Sequence, residues 1–319
     1  MVSYTIRRLL ILIPMLLVIS FLIFLGIELT PGDAVSYMVS PEAIANMSPE
    51  AIDALRESLG LNASFLTRYF NWLGGVLQGD FGYSLSSGVP IKNIVFDRLP
   101  ATLELSIIAL VLSSIFGSIL GLISALKKGT IADNTLTVFG MIGVSIPQFF
   151  FGLVAILIFA LKLKWLPSGG RILPGYETFM DRLPHLILPS LVLAITMTAG
   201  VMRYARASML DVMNKEYIKT ARSKGLPEWK VNLVHGFRVA LTPVVVLIGF
   251  RLPMLIGGSV IIESIFQWPG IGKEFITAVQ GQNIPLVMMI ALFSVAAVLI
   301  ASFVVDLLTA LLDPRVKLD

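Results

Sequence analysis

The sequence predicts an all-α polytopic membrane protein with about six transmembrane helices and a further helical segment between the first and second. Three observations carry that prediction. The chain has 319 residues, of which 56% are hydrophobic and 14% charged, whereas soluble domains carry about 25% charged residues. Its mean hydropathy is +0.87. Six apolar runs are long enough to cross about 30 Å of hydrocarbon, and Lys and Arg gather on alternate connections between them.

The spans are expected at about Leu9–Leu29, Thr102–Leu126, Leu136–Leu161, Leu186–Met202, Ala240–Ile262 and Ile284–Leu312. The fourth is the shortest, with room to extend through Arg206. Arg7 and Arg8 precede the first run, which is 21 residues long. A cleaved signal peptide has an apolar core of only about 7–15 residues, so this run reads as a retained helix. With the N-terminus inside, the inner segments are Met1–Arg8, Lys127–Thr135, Arg203–Val239 and the tail from Asp313. They hold 14 Lys/Arg in about 60 residues, against nine in about 117 on the other side. Both termini are therefore expected in the cytoplasm, and the net charge of +4 needs no nucleic-acid partner.

The chain divides into 1–29, 30–101 and 102–319: the first span, an extracytoplasmic helical segment, and a core holding spans two to six. In the middle piece, Ser48-Pro49 reads as an N-cap followed by proline at the first helical position. Phe65, Tyr69, Trp72, Leu73 and Val76 fall at helical spacing. That segment is either an interfacial anchor built on Trp72 and Tyr69 or a cap over the transport path. The inner loop near 203–239 is rich in Lys and Arg and patterned as a helix. Gly225 stands at a C-cap with Arg222 and Lys224 in the last turn, and Pro227 stops the helix. Tyr217, Ala221 and Leu210 are expected to share an apolar face, opposite Lys215, Lys219 and Arg222. On these grounds alone the helix either docks a soluble partner or lies on anionic headgroups.

Chemistry is limited by what is missing from the sequence. No cysteine is present, which excludes disulfides, thiol catalysis and Cys-ligated zinc. His185 and His235 fall on opposite sides of the predicted topology, so no metal or catalytic residues are expected. Gly270-Ile271-Gly272-Lys273-Glu274 lacks the Ser/Thr of a phosphate loop and lies on the outer side. Arg251 stands in the fifth span, where a charge costs about 2.5–3.5 kcal/mol on insertion scales. It therefore needs a cavity, a partner or a buried acid. One reading makes it a pore-lining cation for a peptide carboxylate, and the other an ion pair with Asp306 or a second subunit. Pro253 with Gly257 and Gly258 invites a kinked gate or close helix packing. Glu263 ends the fifth span. It either meets an external protein or marks the headgroup zone.

The loop residues Tyr217, Thr220, Ala221, Arg222, Lys224, Gly225 and Leu226, followed by His235, Arg238 and Pro243, resemble the coupling loop of ABC importer permeases of the oligopeptide/dipeptide/nickel branch. Lys219-Thr220-Ala221 replaces the Glu-Ala-Ala of the broader importer pattern, as is typical of that branch. The resemblance runs over nearly the whole chain. Further matches are Arg7-Arg8-Leu9, Ile13-Pro14 and Pro31-Gly32-Asp33 at the start, and Gly79-Asp80-Phe81-Gly82-Tyr83-Ser84 in the outer segment. Gly257 to Glu263 with Phe266 and Trp268 to Gly272 follow, and then Val305 to Leu308 and Leu312 to Arg315. A charged Arg251 departs from the neutral polar residue usual near that position.

The resemblance implies a type I ABC importer permease fold and a first permease subunit that forms the path with a second, homologous permease. Two cytoplasmic ATPase subunits would carry ATP and Mg, leaving this chain without a cofactor. An extracytoplasmic binding protein would deliver cargo, meeting Glu263 and Trp268. ATPase coupling would fall to Glu216, Tyr217, Thr220, Ala221, Arg222, Lys224, Gly225 and Leu226. Arg251, Pro253, Gly257 and Gly258 would line or gate the path. Cargo within the branch covers di- and oligopeptides, nickel chelates and some oligosaccharides. An ion-coupled secondary transporter is the alternative from another class, but it calls for inverted repeats and mid-span acids.

Overall fold

The computed structural model describes residues 2–29, 35, 43, 45–58, 62–172 and 178–312. At 2, 252–254, 256–258, 308 and 310–312 it describes only helical backbone. Pro31-Gly32-Asp33 and Asp313-Pro314-Arg315 lie outside the described residues, as do the side chains of Pro253, Gly257 and Gly258.

Helix α1 (Val2–Glu28) is followed by α2 (Pro49–Ser58) and α3 (Phe65–Leu77), and then by the long α4 (Ile91–Leu126). A hairpin leads to α5 (Ile131–Ser145) and α6 (Gln148–Lys162), and then to α7 (Phe179–Met213). The short α8 (Glu216–Ser223) precedes a helical run from Glu228 that passes through π turns at Val231–Phe237 into α9 (Arg238–Gly258). Helices α10 (Val260–Ile265), α11 (Ile271–Gln280) and α12 (Ile284–Leu312) complete the fold. Among the described residues the one β pairing is a single bridge between Tyr83 and Pro90.

Five helices are each long and apolar enough to cross a membrane, and α5 with α6 makes a sixth, broken crossing. The third span expected over Leu136–Leu161 is this broken crossing, which begins earlier, at Ile131. The two halves meet at 100°, and the break falls at Ile146-Pro147. Proline forces its predecessor out of the helical region, and Ile146 is extended at φ −83°, ψ 129°. The fourth span is longer than expected, with Pro184 and Pro189 held inside one 35-residue helix. The fifth ends at Gly258 rather than Ile262. Beyond Ser259 the chain turns into α10 and α11 at the bundle end.

The centre is the pair α4 and α7, brought together by small residues. A Cβ on Gly117 would lie 2.6 Å from that of Val201, and one on Gly121 equally close to that of Ala205. Only glycine allows this approach, the way membrane helices gain packing where the hydrophobic effect is absent. Around the pair lies a core that includes Leu105, Leu186, Leu193, Ile262, Phe266 and Trp268.

Ser48 caps α2 by accepting from the Ala51 N–H at 3.3 Å, and the apolar spacing from Phe65 forms α3 as expected. Its aromatic face turns onto α1. Phe21 and Phe24 meet Phe65 and Tyr69 at ring-centroid distances of 5.3–5.7 Å. The Tyr69 hydroxyl lies 2.9 Å from Ser20 Oγ and donates to the Leu17 carbonyl at 3.2 Å. This segment is an anchor on the first span.

Candidate coupling site and the two ends of the bundle

The basic end is organised by one carboxylate. Asp133 lies in the first turn of α5, 3% exposed. Arg206 of α7 grips it from Nε and Nη2, both at 2.8 Å. Ser124 Oγ donates from α4, and the Gly129 N–H donates at 2.9 Å. Three helices are thereby tied at one point. The Arg206 hydrogen bonds, then Ser124 and the Gly129 N–H, hold the Asp133 carboxyl well below the usual carboxylate range. Sequence reasoning missed Asp133. The available signal was an acid three residues after Thr130, whose side chain caps α5.

Helix α8 lies beside this point. Ile218 is fully buried and Ala221 7% exposed. Both pack with Ala125 of α4, Met209 and Val212 of α7, and Val231 and Ala240 leading into and within α9. The inward face is therefore Ile218, Ala221 and Leu226. The expected pairing of Tyr217 with Ala221 is corrected: Tyr217 points outward and is 44% exposed. Four residues from Tyr217 to Ala221 do give a shared face in principle, but Ile218 with Ala221 is the more apolar pair and takes the core side.

The helix ends as the glycine predicted. Gly225 has φ +72°, a conformation that costs about 1–2 kcal/mol for other residues. Its N–H donates to the Arg222 carbonyl at 2.9 Å, and the Leu226 N–H reaches back to the Ala221 carbonyl at 3.4 Å. Those two bonds, with Leu226 packed into the same cluster as Ala221, form a Schellman termination. Glu216 opens the helix and Arg222 stands in its last turn, each at the pole of the helix dipole that favours it. Lys219 pairs with Glu216 at 2.7 Å, and Arg222 with Glu228 at 3.0 Å. Of the residues expected to couple, Glu216, Tyr217, Thr220, Arg222, Lys224 and Gly225 lie on the exposed side. Ala221 and Leu226 lie on the packed side. Ile218 was not anticipated.

At the opposite end the motif residues turn inward. Glu263 is 0% exposed. It accepts from Thr102 Oγ1 and Ser259 Oγ, both at 2.8 Å, and from the Lys273 N–H at 3.0 Å. Thr102 in turn accepts from the Ile271 N–H at 2.8 Å. Gly270 and Gly272 leave room for the carboxylate, which any Cβ there would strike. Trp268, also 0% exposed, donates from Nε1 to the Ala101 carbonyl at 2.8 Å. Neither side chain offers surface to an external protein in this conformation. Burial corrects the expectation that both would contact one. Nearby, Glu104 accepts from Arg171 at 2.7 Å and lies 3.7 Å from Arg182, an association 67 and more residues apart that no local pattern announced. Asn283 fastens the Gly79–Ser84 motif, donating to Ser84 Oγ at 2.7 Å and accepting from the Leu85 N–H at 3.2 Å.

Arg251 does not pair with Asp306, which takes Arg8 at 2.9 Å instead. Its guanidinium lies against Gly200 of α7. No metal-holding cluster of His, Asp or Glu occurs among the described residues.

A bundle of six crossings with a short amphipathic helix clamped at its basic end defines a class of transport protein. Residues 117–318 match the family described as the inner membrane component of binding-protein-dependent transport systems. Residues 1–106 match the N-terminal region of such membrane components. The chain belongs to this family, as an ABC permease subunit and not an enzyme. It is 39% identical to the oligopeptide transport system permease protein AppB of Bacillus subtilis, over 99% of this chain and 100% of that one. It is 36% identical to the glutathione transport system permease protein GsiC of Escherichia coli K12, over 99% of each. Its fold is similar to a solved amino acid ABC transporter crystallised with histidines, at TM-score 0.50 and 17% identity, covering 69% of this chain and 94% of that one.

Proposed function

We propose that the chain is the first permease subunit of a peptide importer, pairing with a second, homologous permease to enclose the path. The oligopeptide and glutathione permeases it resembles over their full lengths support peptide cargo. The basic end faces the cytoplasm, in line with the excess of Lys and Arg there. Two cytoplasmic ATPase subunits, carrying ATP and Mg, dock on the exposed face of α8. An extracytoplasmic binding protein delivers peptide at the opposite end.

The observation that carries the coupling role is the two-sidedness of α8. Its outer face presents Glu216, Tyr217, Thr220 and Lys224 to a soluble partner, and Trp229 beyond it is 63% exposed. Its inner face is locked by Ile218 and Ala221 to α4, α7 and α9. A push on the outer face thus moves three spanning helices as one body, because packed interfaces shift between discrete arrangements rather than deform. A helix lying on headgroups would instead turn its apolar side to lipid, and here that side is in protein. The test is uptake of labelled peptide into proteoliposomes holding the full complex, with the cognate binding protein outside and ATP inside. Peptide accumulates only with both. Uptake of a nickel chelate or an oligosaccharide in its place assigns the cargo to another class.

A further inference from the structure

We propose that Arg251 receives the carboxylate end of the transported peptide on the path that this chain encloses with a second permease. This rests on the peptide-importer reading above.

The side chain is placed to hold an anion and has none. Its Nε is buried without a hydrogen-bond partner, and no acid pairs with it among the described residues. The acids near the same end are committed elsewhere: Asp306 to Arg8, Asp133 to Arg206, and Asp211 to Lys215. A second cation, Arg203, acts on it electrostatically and stands one turn from Gly200 along α7, exposed. Six residues separate Gly200 from Arg206, so the guanidinium sits about 9 Å inside the Asp133 tie.

Arg251 reaches across from α9 to α7. It fills the space above Gly200 that any side chain on α7 would take, since even a Cβ there would collide with the guanidinium. Its planar fork suits a carboxylate, which accepts two parallel N–H bonds. Arg203 lies one turn nearer the cytoplasmic mouth and repeats the charge. A peptide carboxylate moving inward meets two cations in succession, each able to hold it briefly.

The experiment compares trialanine with its C-terminal amide in the reconstituted complex at saturating binding protein and ATP. For each peptide, the maximal uptake rate of Arg251→Gln is divided by that of wild type. The expected result is a fall of about tenfold for trialanine and less than twofold for the amide, with Arg251→Lys restoring most of the trialanine rate. Equal falls for both peptides overturn the inference, and a lost second permease on purification then marks Arg251 as an assembly residue. Unchanged rates for both overturn it as well. A wild-type complex that imports neither peptide overturns the peptide reading and this inference with it.

Discussion

The two ends of the bundle make opposite use of family motifs. At the basic end the motif of α8 is split, with one side sunk into a core of Ile218, Ala221 and Leu226 and the other left open. At the far end the motif residues Glu263, Phe266, Trp268, Gly270, Ile271 and Gly272 are buried around one carboxylate and one indole. A motif that retains an exposed face can meet another protein. A motif whose anchoring side chains are buried holds its own chain together. The difference supports the proposed partner contact at α8 and shows internal fastening at the turn between α10 and α11.

The largest effect is expected at the closed end. Glu263→Ala removes the acceptor for Thr102, Ser259 and the Lys273 N–H at once, and each buried donor left unmet costs about 1–3 kcal/mol. A loss of roughly 3 kcal/mol follows, read as a marked fall in Tm of the purified complex. Wild-type Tm would break the comparison, because it would mean that Glu263 fastens nothing. Ile218→Ala comes next, at about 2 kcal/mol or more for opening a cavity in a packed cluster. It should also loosen ATP hydrolysis from uptake, since α8 would no longer be rigid on α4 and α7.

The smallest effect expected is a pH dependence set by the Asp133 tie, which is at full strength near neutral pH and weakens in acid. The folded carboxyl titrates below its unfolded value of about 3.9, so its contribution is complete above that value. It is lost as pH falls toward the folded one. Wild-type Tm should therefore decline more steeply below about pH 4 than that of Asp133→Asn. Parallel curves would mean that the Asp133 carboxylate does not hold the three helices together.

Much of this was legible in the sequence. Run length and charge placed six crossings, and the spacing of Phe65, Tyr69 and Trp72 placed α3. Gly225 marked the end of α8 because its backbone angle excludes other residues. What was not legible was of two kinds. Long-range polar partners such as Asp133 with Arg206, or Glu104 with Arg171, leave no periodic trace. Choices between near-equal faces also stayed hidden: Tyr217 and Ile218 are adjacent, and only the neighbouring Met209 and Val231 decide which goes in. Glu263 was misread because a charge near a span end suggests solvent, while its burial depends on Thr102, 161 residues away.

A single substitution sets the outer face of α8 against its inner face. Tyr217→Ala removes an exposed side chain and should change stability by no more than about 0.5 kcal/mol. In complexes purified through the permease, the expected result is wild-type Tm of the permease pair with ATPase subunits depleted and ATP-driven uptake lost. Full ATPase retention and normal uptake in that variant would contradict it.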